Sequence, residues 1–167
     1  MSAGVAVRPA TEADFAEITA IYARHVREGI ASFELTPPDI GEMLSRWRKV
    51  IDSGCCWLVA AGATGICGYA YTGLYHSRPG WRFTVEDSVY IAHDCNRCGF
   101  GRALLAGLID HSRQAGHRRM LAVIGDSGNV GSVGLHVAFG FRHVGTLTDV
   151  GYKFDRWVDV VMMQLDL

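Results

Sequence analysis

The sequence predicts a single α/β domain built around a mixed β-sheet. Its 167 residues fit one compact domain, and 49% of them are apolar, which is enough to bury a core. No repeat, low-complexity tract or block of charge divides the chain. The hydrophobic patterns follow in the order β-α-α-β-β-β-α-β-α-β-β, with strands and helices alternating only in the middle. That order favours a mixed sheet over a fully parallel one.

The N-terminal third predicts one short strand and two helices. Residues 5–8 form the strand, and Thr11 to Asp14 resembles a capping box that starts the first helix. Its buried side chains recur at helical spacing: Phe15, Ile18, Tyr22 and Val26. A second helix is predicted to start at Asp39 after Pro37-Pro38, with Glu42 in the capping position. The buried stripe of this helix is predicted to contain Met43, Trp47 and Val50.

The middle of the chain predicts a hairpin and a central strand. Residues 57–61 and 66–75 are strand-like, and Gly62-Ala63-Thr64-Gly65 between them is a turn signal. Residues 83–91, rich in Val, Phe, Tyr and Thr, predict the central strand.

The C-terminal half predicts two more helices and three strands. A helix is expected over residues 102–115, ending at Gly116, and a shorter one over residues 132–139. Residues 120–124 are all apolar, as in a strand buried on both faces. Residues 141–148 and 157–165 are expected to be the last two strands.

Charge and composition exclude several classes of function. The net charge of −1 removes the electrostatic argument for a nucleic-acid-binding protein, although a local basic patch is not excluded. Residues 1–8 show no signal-peptide pattern, and no apolar run approaches the roughly 18 residues of a membrane span. Five cysteines are an odd number, which predicts free thiols in the reducing cytoplasm rather than a disulfide framework.

The most informative segment is the strand, loop and helix start over residues 89–105. Gly99 and Gly101 let backbone N–H groups approach an anion closely, at a helix N-terminus that favours negative charge. Arg97 and Arg102 add electrostatic attraction. The segment therefore predicts a cradle for a pyrophosphate, although two glycines also suit a simple tight turn. It matches neither the G-x-G-x-x-G fingerprint nor the P-loop pattern.

This segment resembles the acetyl-CoA loop of the GNAT acetyltransferase superfamily. That loop reads Arg or Gln, two residues, Gly, one residue, then Gly or Ala; here Asn96-Arg97-Cys98-Gly99-Phe100-Gly101 departs from it only at Asn96. The resemblance narrows to the phosphinothricin and methionine sulfone or sulfoximine acetyltransferase group. It rests on several strings in the same order, including Ala31-Ser32-Phe33-Glu34, Thr84 to Tyr90, Ala122 to Asn129, Ser132 to His136 and Gly151-Tyr152-Lys153-Phe154.

The resemblance implies a single GNAT-like domain over residues 1–167, with a mixed, mostly antiparallel central sheet and helices on both faces. It implies acetyl-CoA as the donor, without a metal, and a small amino-acid-like amine as the acceptor. It also implies a homodimer. The predicted acetyl-CoA site comprises Val89, Tyr90, Ile91, Arg97, Cys98, Gly99, Phe100, Gly101, Arg102, Asn129 and Ser132. Asn129 has an ordinary helix cap as its alternative role.

Two residues are predicted to be catalytic. Glu86 matches the family's catalytic Glu in Thr84-Val85-Glu86-Asp87-Ser88, and a half-buried position would raise its pKa to suit a general base. Asp87 points to the opposite face by strand alternation and is the weaker choice. His136 occupies a position where many relatives carry a Tyr that protonates the CoA thiolate. Their alternatives are a surface carboxylate for Glu86 and a histidine packed on the sheet for His136.

An amino-acid acceptor needs a cation for its carboxylate. Arg82 is the first choice because a guanidinium binds a carboxylate in bidentate fashion, with Arg78 and Lys153 as further candidates. Phe33 and Tyr75 are predicted as apolar walls. Each of these residues has a solvated cation or a core aromatic as its alternative.

Other functions remain as alternatives. The acceptor could be a protein or peptide amine, and a module that only senses acetyl-CoA would keep the glycine loop without needing Glu86 or His136. Cys95-Asn96-Arg97-Cys98 is a C-x-x-C, but Cys55, Cys56 and Cys67 lack the spacing of a second zinc-binding pair. Cys98, beside Arg97 and a helix N-terminus, remains a candidate reactive thiol.

Overall fold

A computed structural model describes residues 5–63 and 65–167, and the predicted elements form in the predicted order. Residues 1–4 and Thr64, which belongs to the predicted hairpin turn, lie outside the described residues. The strands and helices are β1 (Ala6–Pro9), α1 (Phe15–Glu28), α2 (Ile40–Asp52), β2 (Trp57–Gly62), β3 (Gly65–Leu74), β4 (Thr84–Ile91), α3 (Phe100–Gln114), β5 (Arg119–Gly125), α4 (Val130–Ala138), β6 (Arg142–Lys153) and β7 (Arg156–Asp166).

The seven strands form one sheet in the order β1-β2-β3-β4-β5-β7-β6. Every neighbouring pair is antiparallel except β4 and β5, which run parallel at the centre of the sheet. The prediction of a mixed, mostly antiparallel sheet is therefore confirmed. The parallel pair is joined by α3, the crossover helix that such a connection requires.

Helices cover both faces of the sheet, as predicted. Trp57 and Val59 of β2 pack with α1 and α2, whereas Leu58 and Ala60, the alternate residues of the same strand, pack with α3. Alternation along a strand places these two cores on opposite faces. The predicted stripe of α1 is buried throughout: Phe15, Ile18, Tyr22 and Val26.

The predicted caps of the first two helices are present. The Asp14 carboxylate accepts from the Thr11 N–H at 2.7 Å and is held by the Arg8 guanidinium at 2.7 Å. The Asp39 carboxylate accepts from the Glu42 N–H at 2.8 Å at the start of α2. Each bond satisfies a backbone donor that a helix start leaves without a partner. Among the described residues, no helix is long and apolar enough to cross a membrane.

The prediction that residues 120–124 are buried on both faces is wrong. Met120, Ala122 and Ile124 are buried against the α3 core, but Leu121 is half-buried and Val123 is 38% exposed. The cause is the packing of α1 and α2. These helices contact β2, β3 and β4 and leave the same face of β5 uncovered. An open strip of sheet therefore lies beside β4.

β6 is longer than predicted. It runs past residue 148 to Lys153, with an irregular register between Leu147 and Gly151. Phe154 and Asp155, both with positive φ, form the tight turn into β7. The two predicted C-terminal strands are therefore one long hairpin.

Candidate active site

β4 and β5 separate at the centre of the sheet and open a cleft. Their paired register ends at Asp87 opposite Ala122, and a cavity of about 630 Å³ lies between the strands beyond that point. Residues 88–91 form one wall, residues 122–125 form another, and α4 adds a third. The side of β4 that faces β5 is thus free to pair with an extended ligand.

The other edge of β4 is held firmly. It pairs with β3 over residues 85–91. The carbonyl group of Ile91 points to the cleft instead, where the His25 Nε2 atom lies 2.8 Å from its oxygen. Gly68 permits β3 and β4 to approach closely at this point, because a Cβ on residue 68 would lie 2.9 Å from the Tyr90 carbonyl oxygen. The ring of Tyr90 packs against Tyr22 and Tyr69. These contacts fix β4 in place, while the main chain of Val89 on its inner edge remains open to the cleft.

The loop from Asn96 to Gly101 closes one end of the cleft. Gly99 has φ +86°, where a side chain is strained, and it is the N-cap of α3. The first amides of α3 therefore open onto the cavity wall, where they can bind an anion. Arg97 and Arg102 line the same wall and supply positive charge. This arrangement suits the pyrophosphate cradle that the sequence predicts.

α4 begins at the opposite wall with an Asn cap. The side-chain oxygen of Asn129 accepts from the Ser132 N–H at 3.1 Å, and both residues line the cavity. The alternative role that the sequence suggested for Asn129, a helix cap, is therefore present. Its contact with a cofactor stays a prediction.

The structure brings most of the predicted cofactor residues together. Cys98 does not line the cavity; it is exposed, and its thiol lies 3.4 Å from the Asn96 carbonyl oxygen. The residues that do line it are Val89, Tyr90, Ile91, Arg97, Gly99, Phe100, Gly101, Arg102, Asn129 and Ser132. Sequence reasoning missed His25, Ala31, Ser88 and Leu135, which also line it. Ala31, Ser88 and Leu135 lie inside strings that match the family, which could have identified them, whereas His25 carried no such signal.

Glu86 lies next to the point where the strands separate, on the face of β4 opposite to Asp87. It is half-buried beside Gly73 of β3 and Leu121 of β5, on the open strip of sheet. Burial raises the pKa of its carboxyl, and the negative charge of Asp87 raises it further. This raised pKa agrees with the expectation from the sequence for a half-buried Glu86. Within the described part of the chain, no hydrogen bond occupies this carboxylate.

His136 and Asp87 form a buried pair on the other face. The His136 Nε2 atom lies 2.9 Å from Asp87 Oδ2, and its Nδ1 atom lies 2.7 Å from the carbonyl oxygen of Ser132. Their side chains are 3% and 2% exposed. Burial lowers the pKa of His136, but the hydrogen bond and charge of Asp87 outweigh it, so the net pKa is raised. Sequence reasoning set Asp87 aside and did not foresee the pair.

Three of the predicted acceptor residues lie on the connection from β3 to β4, outside the cavity wall. The Tyr75 ring packs against Trp81 at 5.3 Å. Arg82 is exposed, donates to the Pro79 carbonyl oxygen at 3.2 Å and lies over the Phe83 ring. Arg78 is exposed beside it. Because none of the three lines the cavity, their roles in acceptor binding stay predictions. The connection does lead directly into the strand that carries Glu86.

The other two, Phe33 and Lys153, hold the segment between α1 and α2 against β6. The Lys153 ammonium is buried and donates to the Ser32 carbonyl oxygen at 2.7 Å, and burial lowers its pKa. The Phe33 ring covers Gly151, where a Cβ would overlap it. In this position Lys153 supports the segment, and its ammonium is not presented to an acceptor carboxylate as the sequence suggested.

The same segment is fixed from the helix side. Glu34 accepts from the Tyr22 hydroxyl at 2.7 Å and forms an ion pair with Arg46 of α2. The Tyr22 hydroxyl also lies 2.9 Å from the Ser32 hydroxyl. Ala31, immediately before Ser32, lines the cleft. These bonds therefore position one edge of the cavity.

The cysteines do not form a metal site within the described residues. Cys55, Cys56 and Cys67 are buried, whereas Cys95 and Cys98 lie at the loop. Across residues 5–63 and 65–167, no group of three His, Cys, Asp or Glu side chains could hold a metal ion.

Comparison with known proteins identifies similar chains. The acetyltransferase (GNAT) domain family matches residues 7–162. A phosphinothricin N-acetyltransferase of Alcaligenes faecalis is 50% identical over 96% of this chain and 82% of its own. An L-methionine sulfoximine/L-methionine sulfone acetyltransferase of Pseudomonas aeruginosa is 40% identical over 96% of this chain and 94% of its own. The crystal structure of a phosphinothricin acetyltransferase from Sinorhizobium meliloti in complex with acetyl-CoA superposes with a TM-score of 0.95, at 37% identity, over 100% of this chain and 89% of that one.

Proposed function

The chain belongs to the GNAT acetyltransferase family, and from that premise we propose that it transfers the acetyl group of acetyl-CoA to the α-amine of a small amino-acid-like acceptor. Phosphinothricin, methionine sulfone and methionine sulfoximine are the acceptors that the names of its relatives suggest. The reaction is a direct transfer between donor and amine, with no acyl-enzyme intermediate.

The separation of β4 from β5 carries this proposal. An open strand edge lies between a glycine-capped helix start and the half-buried Glu86. The pantetheine arm has amide groups that pair, as an added strand would, with the main chain of Val89 and with the N–H of Ile91, whose carbonyl oxygen has His25 as its partner. Its pyrophosphate suits the amides of the Gly99 loop, with Arg97 and Arg102 beside them. The acetyl group would then lie near residue 88, where the strands separate.

Glu86 acts as the general base in this proposal. An acceptor amine is mostly protonated at neutral pH, and attack on the thioester requires its free electron pair. A carboxylate with a raised pKa and no hydrogen-bond partner among the described residues is suited to remove that proton, directly or through water. The developing oxyanion would be stabilised by a main-chain N–H of β4 that β5 does not engage.

The acceptor is proposed to bind on the face of the sheet that carries Glu86. The open strip at Leu121 and Val123 leaves room there, next to the segment fixed by Glu34 and Lys153. Arg82, with Arg78 beside it, would bind the acceptor carboxylate, and Phe33 and Tyr75 would contact its side chain. Lys153 would act by supporting the Ser32 segment.

A homodimer is also proposed. The β6–β7 hairpin exposes Tyr152 by 52%, Phe154 by 54% and Trp157 by 62%, and β6 is an edge strand. A surface of this kind favours a second copy of the chain as its partner. We propose the cytoplasm as the location, because all five cysteines are free.

The first experiment measures release of CoA thiol from acetyl-CoA. L-methionine sulfone, L-methionine sulfoximine and L-phosphinothricin are supplied as separate acceptors, with a reaction lacking acceptor as the control. Release that depends on one of them, with the N-acetyl product found by mass spectrometry, supports the proposal. Activity on peptide N-termini but not on free amino acids would replace the proposed acceptor class. Acetyl-CoA binding by calorimetry without turnover on any amine would favour the sensing role.

A further inference from the structure

The buried Asp87–His136 pair lies where the cleft begins. Asp87 is the last residue of β4 that pairs with β5, and His136 reaches it from α4. Both residues line the cavity, as does Ser132. In the proposed function, this is the end of the cavity at which the thioester would lie.

The hydrogen bonds around the ring identify its charge. The partners of its two nitrogens are a carboxylate oxygen and a carbonyl oxygen, and a carbonyl oxygen only accepts. Nδ1 therefore carries a proton. Between Nε2 and Asp87 Oδ2 there is one more proton, and it belongs to imidazole because a His is ordinarily a far stronger base than an Asp. The pair is an imidazolium held by a carboxylate.

The two N–H groups differ in how easily they can change partner. Nε2–H is bound to a carboxylate that is almost fully buried, and removing a partner from a buried ion pair is costly. Nδ1–H is bound to Ser132, whose carbonyl also accepts the backbone N–H of His136 in a regular α-helix. A ligand atom in the cleft could therefore replace Ser132 as the partner of Nδ1 without leaving that carbonyl unsatisfied.

We propose that Asp87 is the positioning residue of the acetyl transfer: it holds Nε2–H of His136, so that Nδ1–H is the proton donor to the sulfur of the departing CoA. This inference rests on the proposed function. Glu86 and Asp87, consecutive residues of β4, then serve opposite tasks on opposite faces of the strand. One carboxylate takes a proton from the amine, and the other keeps a proton on His136.

The proposed transfer conserves protons and electrons. Glu86 removes one proton from the acceptor ammonium, and the free amine attacks the acetyl carbon. The new C–N bond forms, the C–S bond breaks, and the electron pair leaves with sulfur. His136 Nδ1 gives its proton to that sulfur and regains one from solvent. The nitrogen of the new amide loses its second proton to solvent, so these two exchanges cancel. The products are the N-acetyl compound, CoA thiol and one proton released through Glu86.

The surroundings of the ring leave Asp87 as its dominant charged neighbour. α4 packs on β5, whose inward residues Ala122 and Ile124 are apolar, and the Phe141 ring contacts the imidazole edge-on at 4.8 Å. Glu86 points away on the other face of β4. Within the described residues, the influences on the pKa of His136 are burial, Asp87 and the Ser132 carbonyl.

The test measures the protonation state of the His136 ring first and the kinetics of acetyl transfer second. Protein labelled with ¹⁵N-histidine is titrated from about pH 5 to about pH 9, the range in which histidines change charge. Both His136 nitrogens should show imidazolium shifts at neutral pH in the wild type. In Asp87→Asn the ring should become neutral at neutral pH, because an amide group can satisfy Nε2 without a charge.

The kinetic arm uses the same variant with the best acceptor. Wild-type kcat should fall as the pH rises through the raised pKa of His136, and Asp87→Asn should move this fall to lower pH. Its kcat at neutral pH should drop about 10- to 100-fold, with the KM for acetyl-CoA little changed. Asp110→Asn, an exposed Asp on α3, is the matched control and should leave both profiles unchanged.

Three outcomes would overturn the inference. The first is a neutral His136 in the wild type at neutral pH, which the spectrum decides even if the variant fails to fold. The second is an Asp87→Asn enzyme with the wild-type basic limb, and the third is a rise in KM for acetyl-CoA with kcat unchanged, as for a purely structural residue. Absence of any acetyl transfer would refute the proposed function and the proton-donor role together. The spectrum would then still report whether Asp87 keeps His136 charged.

Discussion

At the scale of single residues, the face of β4 decides what each carboxylate can do. Glu86 and Asp87 are adjacent in sequence, but one lies on the open strip and the other is buried against α4. Strand alternation separates them, and their different surroundings give them different chemistry. Glu86 has no hydrogen-bond partner among the described residues, whereas Asp87 is committed to His136.

Glu86→Gln should reduce kcat about 100-fold with the acceptor that supports turnover, because the amide cannot take a proton. The dependence of the rate on pH tests this role further. The base works as a carboxylate, so wild-type activity should fall as the pH drops through the raised pKa of Glu86. The variant should lack this acidic limb. Initial rates across pH provide the measurement.

Glu12→Gln is the matched control, since Glu12 is exposed on the surface before α1. It should retain the wild-type rate and profile. A Glu86→Gln enzyme with full activity would remove Glu86 from the role of base.

At the scale of elements, the loop before α3 depends on the backbone conformation of one glycine. Gly99→Ala should raise the KM for acetyl-CoA several-fold, because an alanine at φ +86° strains the loop whose amides are proposed to bind pyrophosphate. No atom lies within 4 Å of the new Cβ, so the strain is conformational and not a clash. The cost in stability should be about 1 kcal/mol.

Gly116→Ala is a close control. Gly116 has φ +83°, its Cβ would also meet nothing within 4 Å, and it lies just past the other end of α3. Both variants should lose similar stability in urea titrations. An equal rise in KM for acetyl-CoA in both would show that the effect is global and not due to the loop.

The contact between Phe33 and Gly151 joins the α1–α2 segment to β6. Gly151→Ala should displace the Phe33 ring, because the new methyl group would occupy its place. Since that segment is proposed to border the acceptor, the KM for the acceptor should rise while the KM for acetyl-CoA stays near the wild-type value. Gly145→Ala, on the same strand with nothing within 4 Å, should change neither. A normal acceptor KM in Gly151→Ala would separate this segment from acceptor binding.

At the scale of the whole molecule, the apolar surface of the β6–β7 hairpin predicts self-association. The double substitution Tyr152→Lys with Trp157→Lys should convert a dimer into a monomer, because it places charge on two exposed aromatic partners. Sedimentation equilibrium should give the 18.2 kDa chain mass for the variant and twice that mass for the wild type. Ile51→Lys, at an exposed apolar side chain of α2, is the control. A monomeric wild type would contradict the proposal.

Sequence alone determined the order of the elements and the position of the glycine loop that is proposed to bind the cofactor. Both rest on local information: the helical spacing from Phe15 to Val26, the glycines at 99 and 101, and the turn residues between strands. Such signals act over a few residues, so they can be recognised without the fold. The resemblance to the GNAT superfamily then identified the donor and the acceptor class, which periodicity could not have supplied.

The tertiary structure decided what distant segments do to one another. The separation of β4 from β5 beyond Asp87 depends on how two strands joined by a helix pack, and no local pattern encodes it. His136 meets Asp87 across 49 positions, and Lys153 reaches Ser32 across 121. The open face of β5 follows from the reach of α1 and α2. Burial, hydrogen-bond partners and pKa are properties of these long-range contacts, so only the folded chain shows that Asp87 holds His136 and that Lys153 supports a loop.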